Sequence, residues 1–357
     1  MIVSRRNLVR SGAALALTAT LPGSSFGQRP AAAGDIGDLG FVDPELRPFA
    51  RQMQQMMAGD PPPTAANIPA MRRQMATFSA PPLASPAWSL KQIAGRNGAP
   101  AVPVYVINAN PSRDPAHRAP AILHTHGGGF IVGDAKGMIS ALQDLAATLG
   151  CVIVSVDYRL APETRWQGSV EDNYAGLKWL HDHADDLGVD RRRIAVMGES
   201  AGGGHAALLA IAARDRREVP LCAQILVYPM LDDRTCAREP ANPHIGALLW
   251  TPPKNVLGWD SFLGVAPGSS GVPVAAVPAR TGDLRGLPPT FIGVGAIDLF
   301  VDEDVTYAHR LIDAGVPTEL LVVPGAFHGF DGIAAQTSVA KAFNAAKIAA
   351  LTRAFAG

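Results

Sequence analysis

The chain is predicted to fold as an α/β protein, with a mostly parallel sheet covered by helices on both faces. Short apolar runs rich in β-branched residues recur along it, helical patterns lie between them, and several runs are apolar at every position. The runs VPVYVI, AILHTH, CVIVSV, RIAVMG, AQILVYP, TFIGVG and TELLVVP follow one another from about residue 100 onward. A strand covered on one face alternates apolar and polar residues, so an uninterrupted apolar run implies burial on both, as parallel sheets require. Residues 170–183, 201–214, 304–314 and 338–355 carry the helical patterns. Regular alternation of the two kinds of segment points to parallel strands joined by covering helices.

At 357 residues the chain can hold one large domain with an accessory piece. Two stretches fall outside the alternation. Residues 41–85 contain helical patterns broken by DPPPT and closed by APPLASP, and residues from about 232 to 284 are rich in Pro, Gly and Trp. The main domain is therefore expected over 96–357, with an insertion at 232–284 and a separate N-terminal segment at 41–95. Met53, Met56 and Met57, then Met71 and Met75, recur at helical spacing in that segment. They suit a helix face packed on the core, or an adaptable apolar wall over a cleft.

The first 33 residues read as a leader. Ser4, Arg5, Arg6 and Arg10 precede an apolar run from about Ala13 to Leu21 and then small residues, the pattern of a twin-arginine signal peptide cleaved after Gly27 or Ala33. The run is about half the roughly 20 residues that span a bilayer, so stable membrane insertion is not expected. A periplasmic or secreted protein, exported already folded, follows. The three cysteines, Cys151, Cys222 and Cys236, form no CxxC pair and are expected as free thiols.

Hydrophobic residues make up 48% and charged residues 17%, with a formal net charge of zero. Such a balance leaves no electrostatic footprint for nucleic acid or an anionic membrane surface. The expected partner is a small molecule of little charge; the oligomeric state is left open.

Gly198, Glu199, Ser200, Ala201 and Gly202 spell G-x-S-x-G directly after one apolar run and at the start of a helical one. In a strand-to-helix turn this sharp, flanking side chains would strike neighbouring backbone, while the serine oxygen is pushed out above the sheet. A phosphate-binding loop would also use glycines, but the Lys-Ser/Thr of a P-loop and a G-x-G-x-x-G after the first strand are both missing. A nucleophilic serine needs donors for the oxyanion it creates. HTHGGGF, residues 124–130, supplies consecutive glycines at a strand end. Gly128 and Gly129, with the N–H of Ala201 opposite, are the candidate donors, and Gly127 could replace one of the two glycines.

The base must come from nine histidines. His328 follows the last apolar run, and sites of open α/β sheets form beyond the carboxyl ends of strands. His205 lies five residues past Ser200, about 140° around the same helix, and cannot reach back. His124 and His126 alternate along one strand without a third metal ligand at suitable spacing. His181 and His183 read as a solvated helix end. For the orienting acid, Asp298 is nearest the end of the preceding strand. Asp302, Glu303 and Asp304 instead begin a helix, where acids satisfy free N–H groups and the dipole. The resulting order is Ser200, Asp298, His328.

With HGGGF, VDYRLAPE, GESAGG, GAIDLFVDE and PGAFHGF together, the chain resembles the hormone-sensitive-lipase-like branch of the α/β-hydrolases, which includes bacterial carboxylesterases. The resemblance runs from about Phe41 to the C-terminus. It implies an α/β-hydrolase fold with a helical cap built from the segment before residue 95 and from 232–284. It also implies Ser200 as nucleophile, Asp298 as acid, His328 as base and Gly128, Gly129 and Ala201 as oxyanion hole, with no cofactor and no metal. Asp157, Arg159 and Glu163 of VDYRLAPE read as a polar network bracing the glycine loop. Glu199 stands where the family more often has Asp, and Gly204 and His205 stand where an Asn is common.

The expected activity is a serine carboxylesterase acting through an acyl-enzyme. Leu248, Leu249, Trp250, Trp259 and Phe262 suggest a modest acyl pocket for short to medium chains, and suit a cap core equally well. An amidase, lactonase or deacetylase would use the same triad. A catalytically silent binding protein would be expected to have lost a triad member, and none is lost.

Overall fold

The computed structural model describes residues 39–236 and 242–356, so the expected leader lies outside the described residues. Eight strands form one sheet: β1 (Trp88–Ile93), β2 (Val102–Ile107), β3 (Ala119–Thr125), β4 (Val152–Val156), β5 (Val189–Glu199), β6 (Ala223–Val227), β7 (Thr290–Gly295) and β8 (Thr318–Val323). Their order is β1-β2-β4-β3-β5-β6-β7-β8. β2 is antiparallel to both β1 and β4, and β3 through β8 all run parallel. The helices are α1 (Arg47–Met57), α2 (Ile68–Ala76), α3 (Ile139–Leu149), α4 (Trp166–Asp182), α5 (Ala184–Leu187), α6 (Ala201–Arg216), α7 (Pro252–Leu263), α8 (Val301–Asp313), α9 (Phe330–Ile333) and α10 (Ser338–Ala356).

Side chains alternate across the strands, and both faces of the central ones are buried. Leu123, Val154, Val156 and Val196 join Tyr174 and Leu177 of α4, Leu209 of α6 and Leu311 of α8 in one core. Ile122, Ile153, Ala195 and Met197 join Met53 of α1, Leu142 of α3 and Phe343 and Leu351 of α10 in the other. Because neighbouring residues of one central strand enter opposite cores, apolar residues follow one another without alternation, and polar exceptions such as His124 and Ser155 are paired with each other.

The sheet begins earlier than expected. β1 lies at the end of residues 41–95, the segment expected to belong to the cap, so the strands start before residue 96. The sequence hid it because β1 is an edge strand with only Ile93 buried, and WSLKQI has no apolar run. Gln143 of α3 anchors the proline-rich stretch before it: its Nε2 donates to the Leu83 carbonyl at 3.0 Å, and its Oε1 accepts from the Leu83 N–H at 2.7 Å. Met53 and Met56 pack on the α10 side of the sheet, so these methionines serve as a helix face on the core.

A third cluster lies around the turns that follow β3 and β5. Ile68 of α2, Phe130, Ala201, Met230, Trp250, and Trp259 and Phe262 of α7 form it. Phe130 and Phe262 stack with centroids 4.0 Å apart. His205 is buried in the same region, with edge contacts to Phe130, Tyr158 and Phe262 at 5.1, 4.5 and 5.5 Å. Neither of its ring nitrogens has a hydrogen-bond partner among the described residues. Burial, with a smaller contribution from neighbouring His126, pushes the His205 imidazole down to about 3.

A histidine depressed on folding takes up its proton only in the unfolded chain, so its stability contribution is intact above pH 6.5 and is lost as pH falls from there toward 3. From this group alone, stability should fall by about 3 kcal/mol between pH 7 and pH 4. His205→Leu should flatten that part of a Tm-against-pH curve relative to the parent protein. Parallel curves would show that the ring does not titrate on unfolding.

Candidate active site

Ser200 lies at the bend between β5 and α6, with φ 59° and ψ −123°. Three backbone hydrogen bonds hold it there: its N–H donates to the Val227 carbonyl at 2.9 Å, and its carbonyl accepts from Gly204 at 3.1 Å and Met230 at 2.9 Å. A Cβ at Gly198 would run into the Gly202 carbonyl, and one at Gly202 into the Thr125 carbonyl. The turn can be this tight only with glycine at both positions, which is why G-x-S-x-G appears in the sequence.

His328 and Asp298 meet this serine. The Nε2 of His328 lies 3.0 Å from Ser200 Oγ, and its Nδ1 lies 2.8 Å from Asp298 Oδ2. Asp298 Oδ1 accepts the Phe300 N–H at 3.0 Å, which fixes the carboxylate. An Nδ1–H donated to that carboxylate leaves Nε2 free to accept the serine proton. The serine, aspartate and histidine are 6%, 1% and 6% exposed, so their polar contacts are shielded from water. Tyr228 and Phe300 pack edge-on against the imidazole, with centroids at 4.7 and 5.3 Å.

The glycine loop adjoins the serine. A Cβ on Gly127 would be 2.9 Å from the Glu199 carbonyl oxygen and 3.4 Å from Ser200 Cβ. The Gly128 carbonyl accepts from Ile131 and Val132, both at 3.0 Å, folding the loop back on itself. Gly128 has φ 124°, a conformation closed to residues with a side chain. The N–H groups of Gly128 and Gly129 have no acceptor among the described residues. That of Ala201, the first residue of α6, has no helical carbonyl behind it. These are donors of the kind an oxyanion needs.

Behind the turn, Glu199 is paired with His124. Nε2 of His124 lies 2.9 Å from Glu199 Oε2, and its Nδ1 lies 2.8 Å from Ser155 Oγ. Burial pushes the Glu199 carboxyl up, but the attraction and hydrogen bond of His124, helped by Lys347, outweigh it and hold it below its usual range. His124 thus serves as a buried partner of an acid, while His126 stacks on Tyr158 and its Nδ1 faces the Gly127 carbonyl at 2.9 Å. Lys347 also lies 3.7 Å from Asp331, whose Oδ1 accepts the Tyr228 hydroxyl at 2.8 Å. None of Tyr228, Asp331 and Lys347 stood out in the sequence, since 103 positions separate the first two.

The polar residues of VDYRLAPE do not form one network. Asp157 accepts the Ala135 N–H at 2.9 Å, Arg159 forms a two-pronged pair with Asp172 of α4, and Glu163 pairs with Arg72 of α2. Asp302, Glu303 and Asp304 lie in the first turn of α8, as expected, but not as caps. That helix starts at Val301, and no side chain caps it. Glu303 instead accepts the N–H groups of Leu231 and Asp232, at 2.6 and 3.1 Å, and the Thr235 hydroxyl, tethering the chain that leaves β6. Burial, with the Asp232 charge, holds the Glu303 carboxyl well above the usual range against the pull of those N–H groups. Asp304 is fully buried with neither oxygen hydrogen-bonded to the described residues, and burial raises it likewise, together with Glu303 and Asp298. The three cysteines are free, with Cys151 buried and the others half-buried. Among the described residues no three His, Cys, Asp or Glu side chains are grouped to hold a metal ion, and no helix is long and apolar enough to cross a membrane.

Comparison with known proteins agrees with the fold. A family model described as the alpha/beta hydrolase fold matches residues 122–332. Carboxylesterase NlhH of Mycobacterium tuberculosis is 33% identical over 300 residues, covering 82% of this chain and 91% of that protein. A bacterial heroin esterase structure superposes with a TM-score of 0.77 at 34% identity, over 89% of this chain and 99% of that one. Esterase LipW from Mycobacterium marinum gives a TM-score of 0.75 at 34% identity, over 89% and 98% of the two chains.

The Glu303 tether carries a prediction. Glu303→Ala leaves two buried N–H groups without acceptors and should cost about 1–3 kcal/mol in urea unfolding. Glu303→Gln keeps an acceptor oxygen and should lose less. Equal midpoints for Glu303→Ala and the parent protein would show that this carboxyl does not hold the loop.

Proposed function

Since the chain belongs to the alpha/beta hydrolase fold family, in its hormone-sensitive-lipase-like carboxylesterase branch, and is a carboxylic ester hydrolase, we propose that Ser200, His328 and Asp298 are its catalytic triad. The observation that carries the reading is the imidazole of His328 held between the other two, at 3.0 Å from Ser200 Oγ and 2.8 Å from Asp298. Ser200 Oγ attacks the ester carbonyl while Nε2 of His328 takes its proton. The carbonyl π electrons move onto oxygen, and the oxyanion accepts hydrogen bonds from the N–H groups of Gly128, Gly129 and Ala201. Each donor is worth about 2.7–4 kcal/mol in such a site. As the tetrahedral intermediate collapses, His328 protonates the leaving alcohol and an acyl-enzyme remains. Water then repeats the cycle, with His328 as base toward the water and acid toward Ser200. Asp298 holds the tautomer and stabilises the imidazolium. No step calls for a metal or cofactor.

The substrate is a small-molecule ester, and we read its acyl part as short to medium in length. The Trp250 ring lies over Gly129, and Trp259 and Phe262 fill the space above Phe130, which supports a confined acyl site. We also read α2 and residues 232–284 as the cap, with α7 packed on the same cluster as α2. The twin-arginine pair and the short apolar run after it support export to the periplasm or beyond.

Hydrolysis of p-nitrophenyl esters graded in chain length tests the reaction. Ser200→Ala should abolish turnover, and activity should decline toward long acyl chains. Asp298→Asn should keep the fold and lower kcat by about 10⁴. Equal turnover by Ser200→Ala and the parent protein would remove the nucleophile assignment, and near-normal Asp298→Asn would move the acid to another residue. For export, Arg5→Lys with Arg6→Lys should retain the protein in the cytoplasmic fraction; unchanged fractionation would count against the twin-arginine reading.

A further inference from the structure

The guanidinium of Arg72, on α2, reaches three places that are far apart in the chain. Its Nε donates to the Ile131 carbonyl at 2.8 Å, and its Nη2 to the Ala161 carbonyl at 2.9 Å. Nη1 and Nη2 also donate to the two oxygens of Glu163, at 2.9 and 2.8 Å. Ile131 directly follows Phe130, which has φ 68°, a left-handed conformation unfavourable for an aromatic residue. The Phe130 carbonyl accepts the Ala161 N–H at 2.9 Å, and the Ile131 N–H closes onto the Gly128 carbonyl at 3.0 Å. Arg72 therefore grips both sides of the strained residue: the strand of chain that carries it, and the strand of chain that carries its hydrogen-bond partner. Strained backbone persists only where its surroundings hold it.

We propose that Arg72 is a positioning residue for the glycine loop, acting from α2 to fix the orientation of the N–H groups of Gly128 and Gly129. The inference rests on the reading of those groups as oxyanion donors. The two carbonyl contacts are the operative ones. Glu163 is 64% exposed at its side chain, and an ion pair so open to water holds little. Lysine at this position carries a point charge without the planar fork that satisfies two carbonyls at once.

The test separates carbonyl contacts from ion pairing. Kinetics on p-nitrophenyl butyrate are measured for the parent protein, Arg72→Ala, Arg72→Lys and Glu163→Gln. A trifluoromethyl ketone, whose tetrahedral serine adduct places an oxyanion in the hole, supplies an inhibition constant for each, and Tm monitors the fold. Arg72→Ala should lower kcat about tenfold with KM changed by less than about twofold, and should weaken the ketone by about the same factor as kcat. Arg72→Lys should recover only part of both losses, and Glu163→Gln should stay within about twofold of the parent. Parent-like kcat and inhibition in Arg72→Ala overturn the proposal. So does a loss in Glu163→Gln equal to that in Arg72→Ala, which assigns the effect to the ion pair. Absence of turnover by the parent protein, or full turnover by Ser200→Ala, overturns the functional reading itself and is seen before any Arg72 variant is compared.

Discussion

Ser200 holds a backbone conformation, φ 59° and ψ −123°, that a residue with a side chain keeps only when its neighbours impose it. Its N–H is taken by Val227 at the end of β6, and its carbonyl by Gly204 in α6 and by Met230 beyond β6. The bend is thus pinned by the adjacent parallel strand as well as by its own helix. It also requires α6 to approach β3 so closely that only glycine fits at position 202, against the Thr125 carbonyl. The Thr125 hydroxyl donates to the Gly202 carbonyl at 2.7 Å, joining the two elements at their closest point. Everything proposed for the chemistry depends on this contact, because it sets where Ser200 Oγ stands relative to the glycine loop that leaves β3.

Around that bend the buried polar groups divide into two kinds. Some are satisfied pairs that tie one segment to another: Glu199 with His124, Asp331 with Tyr228, Glu303 with the chain beyond β6. Others, His205 and Asp304, are buried without partners among the described residues. A buried polar group without a partner is kept in its neutral form by its surroundings. The direction of each shift follows: His205 is depressed and Asp304 is raised, both chiefly by burial. The paired groups link the end of β5 to β3, the segment after His328 to Tyr228 beyond β6, and α8 to the chain that leaves β6.

The N-terminal segment is part of the same construction. β1 extends the sheet, α1 packs on the α10 face, and Arg72 of α2 reaches the loop after β3 and the VDYRLAPE turn. Arg72 carries no local signal in the sequence, because its two carbonyl partners lie 59 and 89 positions away. The same holds for Glu303, which is read from its neighbours as a helix-opening acid, yet turns its carboxyl to a loop 72 positions earlier.

The sequence by itself determined seven of the eight strands and the serine turn. These depend on local constraints that leave a residue-by-residue trace: apolar residues where both faces are covered, and glycine where no Cβ fits. It also placed Ser200, Asp298 and His328 beyond the carboxyl ends of three parallel strands, β5, β7 and β8, which lie on one side of the sheet. Only the tertiary structure decided which polar side chains meet. Side-chain pairing across 75 to 103 positions costs no change in local pattern, so Arg72 and Glu163, Glu199 and His124, or Tyr228 and Asp331 could not be matched beforehand. β1 was hidden for the complementary reason: an edge strand with one buried residue has too little burial to impose a pattern on its sequence.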